Sequence, residues 1–242
     1  MQRIQKRKDV LGNGCVRGYY DLVRALSMGR KAVDDGITTL IAAPHQLNGR
    51  YKHDIEAVLA ATKNLQEALL EAGIPLQICP AQEVRLVGQL IAEYDAKHIL
   101  TVANGGRYLL LELPNDSIPL FTKETIFQLL QRGVTPIIVH PERHQIFSRE
   151  PDKLAELIAQ GAQSQITAGS YLGYFGFRTR RVTKKLLKRH LVHYMASDAH
   201  DMSLRPFSMQ CAYRKLQRQN PDLAAMFQLN AADLLKTRRG MD

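Results

Sequence analysis

Histidine and carboxylate side chains recur where the apolar runs of this 242-residue sequence end. His140 directly follows the run 135–139, and Asp198 and His200 follow the run 191–196. With three others of the same kind they make six candidate ligands: His45, Glu83, Glu112, His140, Asp198 and His200. A mixed set of imidazole nitrogens and carboxylate oxygens suits zinc, manganese or iron, and bridging carboxylates can hold more than one ion. The pattern therefore predicts a shared metal site.

The apolar runs also predict the elements that position these side chains. Runs rich in aliphatic and β-branched residues indicate buried strands, and they cover 37–43, 76–78, 108–113, 135–139, 164–167 and 192–196. Helical patterns lie between them, over 21–35, 54–72, 122–131, 151–160 and 179–190. This alternation implies parallel strands covered by helices, as in a β/α barrel or a doubly wound sheet. In both architectures the carboxyl ends of the strands meet on one face.

Two arginines lie close to the candidate ligands in sequence. Arg143 is three residues after His140, and Arg205 is five residues after His200. A guanidinium binds phosphate through two parallel hydrogen bonds, and metal ions activate water for attack on an ester. The combination predicts metal-assisted hydrolysis of a phosphate ester.

Composition narrows the class of protein. The net charge of +10 favours an anionic partner. The three cysteines, Cys15, Cys79 and Cys211, have no metal-ligand spacing and indicate reduced thiols in the cytoplasm. No apolar run approaches the roughly 18 residues of a membrane span, and the aromatic–basic interleaving of nucleic-acid modules is absent. We therefore expect a cytoplasmic protein with no membrane insertion and no DNA partner.

Five short motifs together resemble the PHP superfamily (polymerase and histidinol phosphatase). They are Ala43-Pro44-His45, Leu111-Glu112, Val139-His140-Pro141-Glu142-Arg143, Ala196-Ser197-Asp198-Ala199-His200 and Arg205-Pro206. From about residue 21 to the segment 230–235, the chain most resembles the manganese-dependent protein-tyrosine phosphatases of bacterial capsule and exopolysaccharide operons. The resemblance implies a distorted, TIM-like β/α barrel with up to three metal ions, manganese foremost, with zinc, iron or magnesium as alternatives.

The same resemblance implies a function and a partner. The enzyme would dephosphorylate a bacterial tyrosine kinase that carries a phosphorylated C-terminal tail, and the kinase itself can be membrane-bound. Arg143 and Arg205 would hold the phosphate, and the six candidate ligands would hold the metal. The resemblance also leaves room for a homo-oligomer.

The front of the chain departs from the family pattern, in which a first strand carries His-x-His and Asp-Asp-Gly follows. Alignment without gaps back from Asp21 puts Lys8 and Val10 at the histidine positions and Val16-Arg17-Gly18 at Asp-Asp-Gly. We therefore expect a first strand that is aberrant or missing, and an atypical segment 1–20 before a single domain 21–242. Asp34-Asp35-Gly36 is predicted to end the first helix rather than to bind metal.

By resemblance, the ligands divide among three ions. The first ion would use the lost His-x-His pair, Glu83 and Asp198. The second would use Glu83, Glu112 and His140, and the third would use the lost Asp, His45 and His200. Only the second keeps its full protein set, so we expect weaker metal loading and reduced activity, since affinity falls as ligands are removed.

Several alternatives stay open. Cys79 and Arg85 have the spacing of cysteine-dependent phosphatases, but Pro80 lacks a backbone donor and Glu83 would repel the phosphate. The chain could instead be an inactive phosphotyrosine-binding or regulatory remnant, or a phosphatase of a small molecule such as histidinol phosphate. The basic cluster 178–189 is either a solvated helix face or, as a hypothesis, a surface that steers an acidic tail.

Overall fold

Parallel strands alternate with helices through residues 2–4, 18–49, 54–200 and 205–235, the part of the chain that the computed structural model describes. The strands are β1 (Gln2–Ile4), β2 (Thr39–Ala42), β3 (His45–Gln46), β4 (Gln77–Pro80), β5 (Glu83–Arg85), β6 (Tyr108–Glu112), β7 (Thr135–Val139), β8 (Gln163–Thr167) and β9 (Tyr194–Ala196). The helices are α1 (Gly18–Asp34), α2 (Ile55–Glu71), α3 (Leu90–Asp95), α4 (Thr122–Gln131), α5 (Gln145–Arg149), α6 (Pro151–Ala159), α7 (Ala168–Leu172), α8 (Gly176–Lys188), α9 (Met209–Gln219) and α10 (Pro221–Asp233). Within the described ranges, none of these helices has the length and apolar character needed to cross a bilayer.

Two interrupted strands join the two sheets of the structure. One sheet has the order β1-β2-β4 and the other β3-β5-β6-β7-β8-β9, with every neighbouring pair parallel. Only Ala43 and Pro44 separate β2 from β3, and only two residues separate β4 from β5. Hydrogen bonds from Ala81 N to Ala42 O (2.9 Å) and from Glu83 N to Pro44 O (2.9 Å) carry the pairing across both interruptions. The result is a distorted β/α barrel rather than a doubly wound sheet, as the resemblance implied.

The interior of this barrel is shared by both sheets. Alternate strand residues point to one face, because side chains in a strand alternate between faces. Ile41 and Cys79 of the first sheet pack there in one cluster with Leu110, Ile137 and Tyr194 of the second. The opposite face packs against the helices in two larger clusters. The strands are therefore buried on both sides, and the candidate ligands lie at or just beyond strand ends.

The first strand is present, although it is short. β1 covers three residues and pairs with β2 in the register Gln2–Leu40 to Ile4–Ala42. The positions aligned with the family's His-x-His and Asp-Asp-Gly ligands, Lys8, Val10, Val16 and Arg17, lie outside the described residues.

Asp34-Asp35-Gly36 ends the first helix, as predicted. Helix α1 stops at Asp34, and Gly36 takes the left-handed conformation with φ +80 that glycine adopts without strain. The Asp35 carboxylate accepts hydrogen bonds from the backbone N–H groups of Met209 (2.6 Å) and Gln210 (3.3 Å). Asp35 therefore caps the first turn of α9 and is used for structure.

Candidate metal and phosphate site

Four of the six predicted ligands lie together at the ends of neighbouring strands. His45 and Glu83 begin the paired strands β3 and β5, Glu112 ends β6, and His140 directly follows β7. The Nδ1 atom of His45 lies 3.8 Å from Glu83 Oε1 and 3.6 Å from Glu112 Oε2. The Nε2 atom of His140 lies 3.2 Å from Glu83 Oε1 and 3.7 Å from Glu112 Oε1.

Of these four distances, the 3.2 Å between His140 and Glu83 matches the spacing of two ligands of one metal ion, and the other three are slightly wider. Donor atoms that are each about 2.1 Å from one ion are roughly 3.0 to 3.4 Å apart in octahedral or tetrahedral geometry. One donor atom from each of His45, Glu83 and Glu112 falls within 4.8 Å of the other two. Glu83 is fully buried and Glu112 is 9% exposed. Two adjacent buried carboxylates repel each other and lose hydration, so this pair favours a bound cation. The donor set therefore fits a divalent metal.

The backbone at two of the predicted ligands is in the left-handed region. His140 has φ 42 and Asp198 has φ 53, a conformation that residues other than glycine adopt at an energetic cost. The His140 N–H donates to Gln165 O (2.7 Å), and the Arg143 N–H donates to His140 O (3.0 Å). These bonds hold the sharp turn after β7, which places Arg143 beside the ligand cluster.

The two predicted phosphate-binding arginines meet at Asp198. Arg143 Nη2 donates to Asp198 Oδ2 at 2.5 Å, and Arg205 Nη2 donates to the same oxygen at 3.2 Å. Asp198 is 2% exposed, whereas both arginine side chains are partly exposed. The buried Nε of Arg143 has no hydrogen-bond partner within the described residues. Two guanidiniums held side by side in this way can donate hydrogen bonds to an anion.

His200 belongs to the same group. Its Nδ1 donates to the carbonyl oxygen of Asp198 at 2.8 Å, and its Nε2 lies 3.0 Å from Arg205 Nη1. The structure thus places the candidate ligands in two adjoining sets. Donor atoms of His45, Glu83 and Glu112 lie close together and His140 lies beside both carboxylates, while Asp198 and His200 contact the arginines.

Phe175 is a site residue that the sequence did not reveal. The guanidinium carbons of Arg143 and Arg205 lie 5.4 Å and 5.6 Å from the centre of its ring, within the range of cation–π attraction. Gly169 makes room for this ring, because a Cβ at Gly169 would lie 3.0 Å from Phe175 Cε2. One aromatic ring therefore supports both arginines. A loop phenylalanine between two helical patterns carries no sequence signal for such a role.

Glu142 anchors the turn that carries Arg143. Its Oε1 accepts hydrogen bonds from the N–H and the hydroxyl of Thr167, both at 3.0 Å. Burial raises the pKa of this carboxyl, although the charge of Arg143 and the hydrogen bonds oppose the rise. Arg85 is a further neighbour that the metal prediction did not include, with Nη1 3.4 Å from Glu112 Oε2. Glu142 therefore supports the turn that carries Arg143, and Arg85 lies beside the predicted ligand Glu112.

Cys79 and Arg85 do not form a cysteine-phosphatase loop. They belong to β4 and β5, which are extended, whereas that chemistry needs a loop of free backbone N–H groups around the phosphate. Cys79 is 8% exposed, and burial raises the pKa of its thiol. A raised pKa suppresses the thiolate nucleophile, so Cys79 is a core residue.

Known proteins are similar in sequence to this chain over most of its length. A relative named tyrosine-protein phosphatase YwqE, from Bacillus subtilis, is 36% identical over 222 residues, covering 91% of this chain and 87% of that protein. CapC of Staphylococcus aureus is 37% identical over 195 residues, covering 80% of this chain and 76% of that protein.

Solved structures agree with these relatives. One crystal structure, from work on YwqE of Bacillus subtilis and CpsB of Streptococcus pneumoniae as metal-dependent tyrosine phosphatases, superposes with a TM-score of 0.87 at 34% identity. It covers 96% of this chain and 94% of that one. An organophosphorus hydrolase from Deinococcus radiodurans matches at 12% identity with a TM-score of 0.55 over 97% of this chain and 91% of that one, and it supports the fold alone. The model of the capsular polysaccharide synthesis family CpsB/CapC matches residues 16–236, and the chain belongs to that family.

Proposed function

We propose that this protein is a metal-dependent phosphatase that hydrolyses phosphotyrosine on a bacterial tyrosine kinase and so regulates capsule or exopolysaccharide synthesis. One observation carries the proposal most directly. Two buried carboxylates and two partly buried imidazoles, with nitrogen–oxygen distances of 3.2 to 3.8 Å, adjoin a pair of arginines that share one aspartate. A candidate metal site next to a candidate anion site suits metal-assisted hydrolysis of a phosphate ester.

Each site residue has a proposed role. His45, Glu83, Glu112 and His140 would hold manganese, and Asp198 and His200 would complete the ligand set. A bound divalent ion supplies Lewis-acid activation of water and of the phosphoryl group. Arg143 and Arg205 would bind the phosphate oxygens, with the Nε of Arg143 as an available donor. Asp198 and Phe175 hold the two guanidiniums in place, which lowers the entropy lost when phosphate binds.

The proposed setting is the cytoplasm, where a phosphorylated kinase tail would be reached. The scattered cysteines support this, because Cys79 is buried and Cys211 is a free thiol. The names of the relatives support tyrosine phosphatase activity and capsule synthesis.

A manganese titration tests the proposal. We expect hydrolysis of p-nitrophenyl phosphate and of a phosphotyrosine peptide to rise with manganese, in parallel with the metal content of the protein. Absence of turnover at saturating manganese would contradict it. Restoring His-x-His and Asp-Asp-Gly at positions 8, 10 and 16–18 should then raise both metal content and turnover. Robust turnover of the unaltered chain would show that the front segment does not limit activity.

A further inference from the structure

One face of helix α9 lines an open groove whose charge is strongly positive. Its lining residues are Cys211, Arg214, Lys215, Arg218 and Gln219, and it has a volume of about 450 Å³. No ion pair with a carboxylate of the described residues involves the three cations of this lining. Like charges held together without counter-charges cost free energy, and an anionic partner would offset that cost.

Helix α8 adds positive charge to the same groove. Lys215 is partly buried, and its pKa is lowered first by burial and then by the charges of Arg180 and Lys184 on α8. The buried Nε of Arg180 has no hydrogen-bond partner among the residues that the structure describes. By contrast, Arg189 just beyond α8 forms an ion pair with Asp152 on α6. Arg180 and Lys184 of α8 therefore lie close enough to Lys215 to add to the positive charge beside α9.

The groove is connected to the arginine pair of the candidate site. Lys215 Nζ lies 4.8 Å from the ring centre of Tyr171, and the Arg180 side chain passes within 3.0 Å of where a Cβ on Gly173 would be. Phe175, which supports Arg143 and Arg205, follows Gly173 by two residues. The segment from 171 to 175 spans at most about 14 Å, the reach of about four extended peptide residues. A peptide whose phosphate is held by the arginine pair can thus reach the groove with nearby residues.

We propose that the groove along α9 binds acidic side chains that flank the target phosphotyrosine, so that the protein selects acidic peptide substrates. This inference rests on the proposed function, since it places the phosphotyrosine at Arg143 and Arg205. The groove supplies Arg214, Lys215 and Arg218 as partners for carboxylates or a second phosphate. The proposal gives a role to cations on α9 that lie outside the hydrolytic site.

Binding to two matched peptides tests the groove. Both carry a non-hydrolysable phosphonate in place of the phosphotyrosine; one has glutamates around it and the other has glutamines. Fluorescence anisotropy with the manganese-loaded protein should show about tenfold tighter binding of the glutamate peptide, the sum of a few exposed charge contacts. The variant Arg214→Gln/Lys215→Gln/Arg218→Gln should bind both peptides equally. The milder variant Arg214→Gln/Arg218→Gln, which keeps the packing of Lys215 on Tyr171, should lose most of the preference.

A control separates the groove from the overall charge of the protein. Arg30→Gln/Lys63→Gln/Lys97→Gln removes three cations outside α8 and α9 and should keep the full preference. An equal loss in this control, or an unchanged preference in the groove variants, would overturn the proposal. Cys211 gives a second readout, because a peptide in the groove should slow alkylation of its thiol, measured by mass spectrometry of that segment. Alkylation at an unchanged rate with saturating glutamate peptide would also overturn it.

Two further outcomes are decisive. If the wild type shows no peptide preference but binds phosphatidylserine vesicles in a way that the groove variants abolish, the groove faces lipid and the proposal is wrong. Hydrolysis of p-nitrophenyl phosphate should be the same in the groove variants and the wild type. If the manganese-loaded wild type hydrolyses no phosphotyrosine at all, the proposed function fails, while the anisotropy experiment still decides whether the groove binds acidic peptides.

Discussion

Arg143 and Asp198 are joined by an ion pair of 2.5 Å that links the turn after β7 to the segment after β9. Arg205 binds the same carboxylate oxygen at 3.2 Å, so one buried acid orients both arginines. Removing the buried carboxylate would leave both guanidiniums without the contact that orients them. Asp198 therefore determines the geometry of the anion site in addition to its proposed role as a ligand.

Replacing Asp198 by asparagine should lower both activity and stability. The amide keeps the shape but loses the charge that holds Arg143 and Arg205, and misplaced positioning groups cost about 100-fold in rate. We expect that loss in kcat/KM for p-nitrophenyl phosphate and a decrease of about 1–3 kcal/mol in the free energy of unfolding by urea titration. Asp152→Asn, which breaks a surface pair with Arg189, is the matched control and should change neither. Wild-type kinetics in Asp198→Asn would show that the pair does not position the arginines.

Glu83→Gln should remove most of the stabilisation by manganese. Ligand at about 100 times its Kd stabilises the folded state by about 2.7 kcal/mol, so the wild-type Tm should rise with manganese. Glu83 is the carboxylate closest to His140 and also lies near His45, so its loss removes a central donor. Thermal melts with and without manganese, together with bound metal measured after gel filtration, check this. Glu93→Gln, in an exposed pair with His98, should respond like the wild type; an equal response in Glu83→Gln would exclude Glu83 as a ligand.

Phe175→Leu should weaken the phosphate site without abolishing the fold. The ring attracts two guanidiniums, and each such contact at an exposed site contributes about 0.5–1 kcal/mol. We expect kcat/KM to fall about fivefold to tenfold, mainly through KM if the arginines bind substrate and transition state equally. Phe175→Tyr keeps the aromatic face and should restore wild-type kinetics. A loss in the tyrosine variant as large as in the leucine variant would show that ring stacking is not the cause.

Stability should decrease on mild acidification because of two histidines, His144, which is buried, and His193, which is partly buried. Burial lowers the pKa values of His144 and His193, and the Nδ1 atom of each accepts a backbone N–H, from Phe147 and Ser164 respectively. Between the lowered pKa and the ordinary value of about 6.5, the unfolded chain binds more protons than the folded one. Their contribution is therefore complete above about pH 6.5 and is lost as the pH falls through this window.

Urea unfolding at several pH values measures this effect. The variant His144→Gln/His193→Gln should flatten the dependence of unfolding free energy on pH below about 6.5. His98→Gln removes an exposed histidine and should leave the slope unchanged. A slope in the double variant identical to that of the wild type would assign the acid sensitivity to other groups.

The sequence predicted that the candidate ligands lie close together because the carboxyl ends of parallel strands meet. In the structure His45 and Glu83 lie just beyond β2 and β4, Glu112 ends β6 and His140 directly follows β7, so strand order brings these four residues to one region. The strands β3 and β5 were not predicted, because segments of two or three residues contain too few side chains to show periodicity.

Other contacts depend on packing that local patterns do not contain. Phe175 and the arginine pair approach through three separate loops, and Gly169 matters only because a ring lies against it. Asp35 was correctly predicted to end a helix, but its capping of α9 joins residues 174 positions apart. The contacts of Asp198 with Arg143 and Arg205 are also a property of side-chain placement, which strand order does not determine.

The cap of α9 by Asp35 has a consequence for how the protein is synthesised. During synthesis, α1 leaves the ribosome long before α9. The hydrogen bond from the Met209 N–H to Asp35 can therefore form only after nearly the whole chain has been made. Contacts of such long sequence separation carry a high loop-closure cost and form late. The segment with Asp198, His200 and Arg205 lies directly before α9, so the anion site assembles at the end of folding. A nascent chain arrested before α9 would contain the candidate metal ligands His45, Glu83, Glu112 and His140 before the contact between Asp35 and α9 could form.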